Sequence, residues 1–506
     1  MRKSLITYWG VGICMLAACK TTTKQAPQEE LETASPSELS ISYKVPGDLA
    51  SPDATIEELA TFAWNEFFAL NWRAEWAAQA SSPASSRSRG LPDTSWDFAT
   101  SGAAPDLAVW ETYIHRTELR PADSNRYKVN LNTGKPDYTF IDPINTNGIE
   151  LSDYWVNLDE DNEIGSCYLY AYSENQVLYM AKSNLTEYNY VRDKFPDDAL
   201  LFKAVNNGQD LEYLKKVSQG QSCNSDTASN VVCLPCGEYG GQEGAIEIKT
   251  AWRKLTAADD PTRFFTRKAV YYTYMDKDGE ATAQTDEFGL IGLHIIHKTK
   301  NYPAFVFASW EQVDVRQAQM QTIGQDVPQK IINGDTINDP NVDPHRPEPV
   351  IDREIPSEIQ TVNAAAKALI TSQNAASVWQ YYQLIGVQGK PINYEDRATD
   401  PNYFMANYVI ESDSTLTFFH GSFGIPFDES IQNVVYNGAT YNMGGCQGCH
   451  GQAQLKGSDF SFLLDFGAGK PVDRPDPYLA FDVALDSVGY EPTQLIQMIK
   501  AYSKRN

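Results

Sequence analysis

The sequence predicts an α+β protein, with a large, mixed, strand-rich body over residues 47–400 and a small, mainly helical C-terminal domain over 401–506. Three observations predict it. Between about 105 and 311, successive runs of β-branched and aromatic residues are bounded by Gly, Asp, Asn or Pro. Helical periodicity is confined to a few separated windows, and strands without regular crossover helices favour α+β over a doubly wound sheet. The length is sufficient too: of 506 residues, 42% are apolar and 12% aromatic, ample for a large core and two or three domains.

Residues 1–18 read as a signal peptide. Arg2 and Lys3 precede an apolar run from Leu5 to Ala18, long enough for a signal core but short of the roughly 20 apolar residues of a membrane span. The run ends in Leu16-Ala17-Ala18-Cys19, which resembles the lipobox of bacterial lipoproteins. That resemblance implies cleavage before Cys19, a membrane anchor on its acylated thiol and, with Lys20 following, an outer-membrane position facing the periplasm. An ordinary secretory signal with an incidental cysteine is the alternative. No later segment resembles a transmembrane helix. Residues 19–46 are rich in Thr, Glu, Ser and Pro; they bury too little apolar surface to offset their ordering entropy, which predicts a flexible tether.

In the body, residues 51–80 predict a buried helix. Thr55 and Glu58 form a capping box, Ile56, Leu59, Ala63, Phe67 and Leu70 recur at helical spacing, and Trp64, Phe68, Trp72 and Trp76 extend the apolar surface nearly all round. ASSPASSRSRGLP predicts an exposed loop. The strand runs are SCYLYAYS, QVLYMAKS, AIEIKTAW, RKAVYYTYMD, FGLIGLHIIHK and PAFVFASWEQV. DKDGE between two of them predicts an antiparallel hairpin, its glycine coming too early for a calcium loop. Residues 321–354 form a long polar stretch without periodicity, Ser357 to about Thr371 a second helix, and SVWQYYQLIGV a further strand. No internal repeat is visible.

The formal charge of −25 argues against nucleic acid, whose phosphates recruit Lys and Arg. It would attract a basic redox partner at long range, although the solubility of an exported protein is the plainer explanation.

Eight cysteines divide by position. Cys14 leaves with the signal and Cys19 takes the lipid. Cys167, Cys223, Cys233 and Cys236 lie in an exported body, where thiols tend to pair, and four permit two disulfides in three connectivities. Cys233-Leu-Pro-Cys236 has the spacing of a redox pair. Its polar, Gly-rich setting, not a helix start after a strand, favours structural disulfides over thiol exchange.

The last two stand in MGGCQGCHGQ, residues 443–452. Cys446-x-x-Cys449-His450 is the attachment pattern of c-type haem. Two thiols three positions apart each add across a vinyl group on one macrocycle edge, and the adjacent imidazole then meets the iron from one face. At this chain's residue frequencies about 0.0015 such matches arise by chance. Export supports the pattern independently, since c-type haem is attached outside the cytoplasm. A zinc site would need Cys233 and Cys236 as extra ligands, kept reduced in an oxidising place. One covalent haem c is therefore the expected cofactor.

GGCQGCHGQAQLKGSDFSFLLDF resembles a c-type cytochrome segment, with Phe460, Phe462, Leu463, Leu464 and Phe466 suited to excluding water from a haem edge. FAWNEFFALNW, VWETY, IEIKTAWRKL, GLHIIHKT and FASWEQVD are similar to segments of large bacterial cytochrome c family proteins, over most of the mature chain. The resemblance implies a periplasmic haem protein whose C-terminal domain is cytochrome c-like; it implies no substrate.

For the iron's second face, Met498 in EPTQLIQMIKAYSKR lies downstream as the ligand does in small soluble cytochromes c. Met443, His420 and an open face are alternatives. The expected haem-binding residues are thus Cys446, Cys449, His450 and Met498, the last two on the metal; Met498 also fits a core position of its helix. His294 and His297 form HxxH in a strand-like run, where an odd separation sends them to opposite faces. At most one reaches a common site, and structural roles are expected for both. His115 and His345 lack a partner pattern, and Glu111 and Glu247, beside tryptophans, predict ordinary pairing. Neither a G-x-S-x-G elbow nor a phosphate loop occurs, and no catalytic residue is assigned.

Three functions fit these features. The leading one is a lipid-anchored mono-haem cytochrome passing electrons one at a time to a partner protein. The second is an oxidoreductase whose front domain binds a substrate and feeds electrons to the haem, suggested by a body far larger than a carrier requires. The third is a non-catalytic binding module stabilised by haem.

Overall fold

A computed structural model describes residues 38–120, 133–140, 144–161, 167–171, 173–196, 198–206, 232–274, 280–315, 320–324, 329–332, 335–338, 348–349, 355–393, 409–410, 434–436, 439–465 and 474–481. Contacts divide the chain into Met1–Glu32 and Thr33–Asn506, and every described residue belongs to the second unit. Residues 1–18, read as a signal peptide, with Cys14, and Cys19 of the lipobox-like segment, Cys223, His345, His420, Phe466 and Met498 lie outside the described residues.

Residues 38–46, assigned to the tether by composition, instead pack on the core. Leu39, Ile41, Tyr43 and Val45 lie against the main apolar cluster, and Ser40 N–H donates to Asn65 Oδ1 at 2.9 Å. A period-2 apolar stripe here outweighs the polar residues between.

The body is α+β. Helix α1 (Ile56–Leu70) begins at the expected capping box: Thr55 Oγ1 accepts from Glu58 N–H at 3.2 Å, and Glu58 Oε2 accepts from Thr55 N–H at 2.7 Å. It ends ten residues earlier than periodicity suggests, because Arg73 and Ala74 bridge to Ala108 and Pro92 and only one short helical turn, Glu75–Ala78, follows. In chain order come β1 (Ile114–His115), β2 (Cys167–Ala171), β3 (Leu178–Ser183), α2 (Leu185–Lys194), β4 (Ile246–Lys254), β5 (Thr266–Tyr274), β6 (Ala281–His297), β7 (Val306–Gln312), α3 (Ser357–Gln373), β8 (Tyr382–Gln388) and α4 (Gly445–Lys456). A seven-stranded antiparallel sheet runs β1-β3-β4-β6-β7-β8, with β5 on the first half of β6 as the predicted hairpin; β2 belongs to a smaller sheet.

Alternation divides the sheet into two covered faces. Ile246 and Ile248 of β4, Leu293 and Ile295 of β6 and Val306, Ala308 and Trp310 of β7 join α1 and α3 in one cluster. There Trp64 and Phe67 meet Trp310 with ring centroids 6.0 and 5.1 Å apart, and Trp64 Nε1–H donates to Asn363 Oδ1 at 2.9 Å. Ala251, Ile296 and Phe307 join the opposite cluster with Met443, Cys446, Phe460, Leu463 and Leu464. Burial on both faces explains why β6 reads as a continuous apolar run. Among the described residues no helix is long and apolar enough to cross a membrane.

Candidate functional site

Helix α4 carries Cys446, Cys449 and His450 at i, i+3 and i+4, on one helix face, and all three are buried. It leaves through Gly457 at φ 102°, where the N–H groups of Gly457 and Ser458 donate to Ala453 O at 3.1 and 3.0 Å. Such a left-handed stop favours glycine. Gln447, between the two cysteines, anchors the helix to the sheet. Its Nε2 donates to the carbonyls of Ala304, Phe305 and Gly389 at 3.3, 3.4 and 3.3 Å, and its N–H donates to Gln388 Oε1 at 3.2 Å.

The orientation of His450 is set ten residues downstream. Its Nδ1–H donates to Phe460 O at 2.7 Å. A carbonyl only accepts, so Nδ1 carries the proton and Nε2 the lone pair. That carbonyl is aimed by two consecutive left-handed residues, Asp459 at φ 58° and Phe460 at φ 65°, each strained by about 1–2 kcal/mol. The surroundings hold the turn. Asp459 forms a wholly buried ion pair with Lys298, and it accepts Leu234 N–H at 2.6 Å. The rings of Phe307 and Phe462 lie 4.8 Å from the imidazole. Burial pulls the His450 pKa down to about 3, with Lys249 adding to the effect, so the ring is neutral, the form that ligates metal.

Opposite His450 stands His294. Their ring centroids are 6.5 Å apart with planes inclined by 24°, and His294 Nδ1 bonds Ser309 Oγ at 2.5 Å. His297 faces the other way, as alternation requires, 5.6 Å from the Phe62 ring and 2.9 Å from Glu66 Oε1. His115 lies within a polar buried cluster, 3.2 Å from Asp159 Oδ1. Met443 is buried in the cluster of Cys446, in strand register with Asn393. Of the predicted apolar residues past the motif, Phe460, Leu463 and Leu464 are buried and Phe462 edges the imidazole. Sequence reasoning placed His294 among structural residues; periodicity separated the two histidines but could not say which face meets α4.

Buried carboxylates flank this site. Burial, then the nearby Glu247 and Asp459, holds Glu187 of α2 well above the usual carboxylate range, and burial pushes Glu247 of β4 up to about 7. Glu111, by contrast, pairs ordinarily, with Arg267 Nε at 2.7 Å.

The cysteines correct one expectation. Cys233 is disulfide-bonded whereas Cys236 remains a thiol, so the Cys-x-x-Cys pair is not itself a bridge and four cysteines do not form two disulfides. Burial raises the Cys236 thiol pKa, the reverse of a reactive thiolate. With Cys233 committed, the zinc alternative lacks a ligand. Cys446 and Cys449 are thiols outside any disulfide, the form that adds to a vinyl group. Among the described residues no group of three or more His, Cys, Asp or Glu could hold a metal ion; a haem iron requires none, the porphyrin supplying its equatorial ligands. The residues present thus fit a covalent haem. No family model, curated protein or solved structure matches the chain.

Proposed function

We propose that the chain is an exported, lipid-anchored c-type cytochrome that binds one haem covalently and passes electrons singly to a protein partner, with 401–506 as its cytochrome c-like haem domain. One observation carries this: two buried thiols share a helix face with a neutral imidazole whose Nδ1–H is held by Phe460 O at 2.7 Å. Cys446 and Cys449 would hold the haem through their thiols, and His450 would offer the Nε2 lone pair to its iron. The Phe460 carbonyl fixes the ring's rotation and raises its basicity. Phe307 and Phe462 exclude water beside it. When bound, the haem supplies a one-electron iron couple. The lipobox ending at Cys19 supports an outer-membrane anchor facing the periplasm, and the charge of −25 suits a basic partner.

A second reading, an oxidoreductase, is favoured by the large sheet on which α4 sits and by the raised pKa of Glu187 and Glu247, which would keep protons available near the site. Reduction of the haem by an added metabolite, lost when Glu187 and Glu247 are both replaced by Gln, would support it.

The principal test uses protein from a host competent in cytochrome maturation. After acid–acetone extraction, the pyridine haemochrome spectrum should show haem still bound, and Cys446→Ser with Cys449→Ser should abolish it. Complete extraction of haem from the unsubstituted chain overturns the proposal.

A further inference from the structure

The geometry points to His294 as the second axial ligand, making the site a bis-histidine haem with His450 on one face of the iron and His294 on the other. This rests on the haem reading above and completes the ligand set that the sequence assigned to Met498.

The placement comes from sheet register. His294 lies in β6 between Lys249 of β4 and Ser309 of β7, so its side chain projects from the middle of a rigid sheet toward α4. The two imidazoles are 6.5 Å apart between centroids. Metal–nitrogen bonds of about 2 Å on each side, with each nitrogen about 1 Å from its ring centre, put two axial imidazoles about 6 Å apart. The observed separation of 6.5 Å lies close to that value.

The hydrogen bonding agrees. Each ring spends Nδ1 on a protein oxygen, Phe460 O for His450 and Ser309 Oγ for His294. Among the described residues neither Nε2 has a hydrogen-bond partner. A protein oxygen on Nδ1 is the kind of contact that fixes the rotation of a metal-binding imidazole. A histidine kept only for packing would leave the iron's spin state unchanged when replaced.

The experiment uses the full-length holoprotein and His294→Ala, His294→Met and Met498→Ala, with haem content measured by pyridine haemochrome in each. The unsubstituted protein should give a low-spin bis-imidazole signal in ferric electron paramagnetic resonance. His294→Ala should keep its covalent haem, turn high-spin, and regain the low-spin signal with added imidazole. His294→Met, which preserves side-chain bulk if Ala unfolds the site, should gain the far-red methionine–iron band. Met498→Ala should match the parent. A parent that shows the methionine–iron band, lost in Met498→Ala, overturns the inference; so does an unchanged low-spin signal in His294→Ala. Both results leave covalent haem standing, whereas a parent without bound haem fails the underlying function as well.

Discussion

Asp459 ties the turn behind His450 to the sheet, and removing its charge has a calculable consequence. In Asp459→Asn the new side chain still tolerates the left-handed backbone at φ 58°, so the main loss is the carboxylate facing Lys298, in a pair whose side chains are both 0% exposed. Breaking such a pair from one side costs about 3–5 kcal/mol, because the ammonium stays desolvated without its counter-charge. Asp459→Ala should cost about 1 kcal/mol more, for an alanine forced into the left-handed region. Replacing both partners, Asp459→Asn with Lys298→Met, removes both charges and should recover most of the loss. Urea unfolding followed by tryptophan fluorescence measures all four proteins. The expected order of stability is parent, double variant, Asp459→Asn, Asp459→Ala. An Asp459→Asn within about 1 kcal/mol of the parent, or a double variant no better than the single, would refute the claim that this pair holds the turn.

Further outcomes follow from the same packing. Glu247 has a folded pKa of about 7 against 4.5 ordinarily, so the folded state binds the extra proton between those values. Its contribution is fully present below about pH 4.5 and is lost as pH rises to 7, a fall of about 3 kcal/mol. The difference in unfolding free energy between parent and Glu247→Gln should show that slope, and a difference flat from pH 4.5 to 8 contradicts it. Gly292→Ala places a Cβ 2.5 Å from Val409 Cγ2 and 3.1 Å from Ile410 Cγ1, and this overpacking should cost about 1–3 kcal/mol in the same urea assay; a neutral variant would show that 409–410 do not seat there. Glu118→Ala removes the carboxylate that pairs with the fully buried Arg89 guanidinium, bonded at 2.7 and 2.8 Å, leaving only the Thr112 and Tyr113 carbonyls, and should cost about 3–5 kcal/mol. Thermal unfolding within a degree of the parent would rule that out.

Local signals were legible where neighbours in sequence are neighbours in space. The capping box at Thr55 and Glu58, the strand runs and the Cys446-Cys449-His450 face all depend on spacings of four residues or fewer. Helix α2 was missed because LTEYNYVRDK is polar, with Asn184 as its cap and tertiary packing of Tyr188 and Val191 as its support. Arg89 sits in a Ser/Arg/Gly stretch that composition marks as exposed, yet its ion pair with Glu118 buries it. The turn that aims Phe460 O depends on Lys298, 161 residues from Asp459, and no local pattern encodes that meeting. His294 is the same case: alternation divides it from His297, but only the packing of α4 decides which of them meets His450.

Intact-mass spectrometry of denatured protein, purified from a host with a cytochrome maturation system, tests most directly whether sulfur at 446 and 449 holds iron-porphyrin. One haem mass added to the processed chain, retained on a proteolytic peptide spanning Cys446–His450 and missing from the Cys446→Ser, Cys449→Ser protein, is the predicted result. A parent chain at its bare polypeptide-plus-lipid mass would contradict the account.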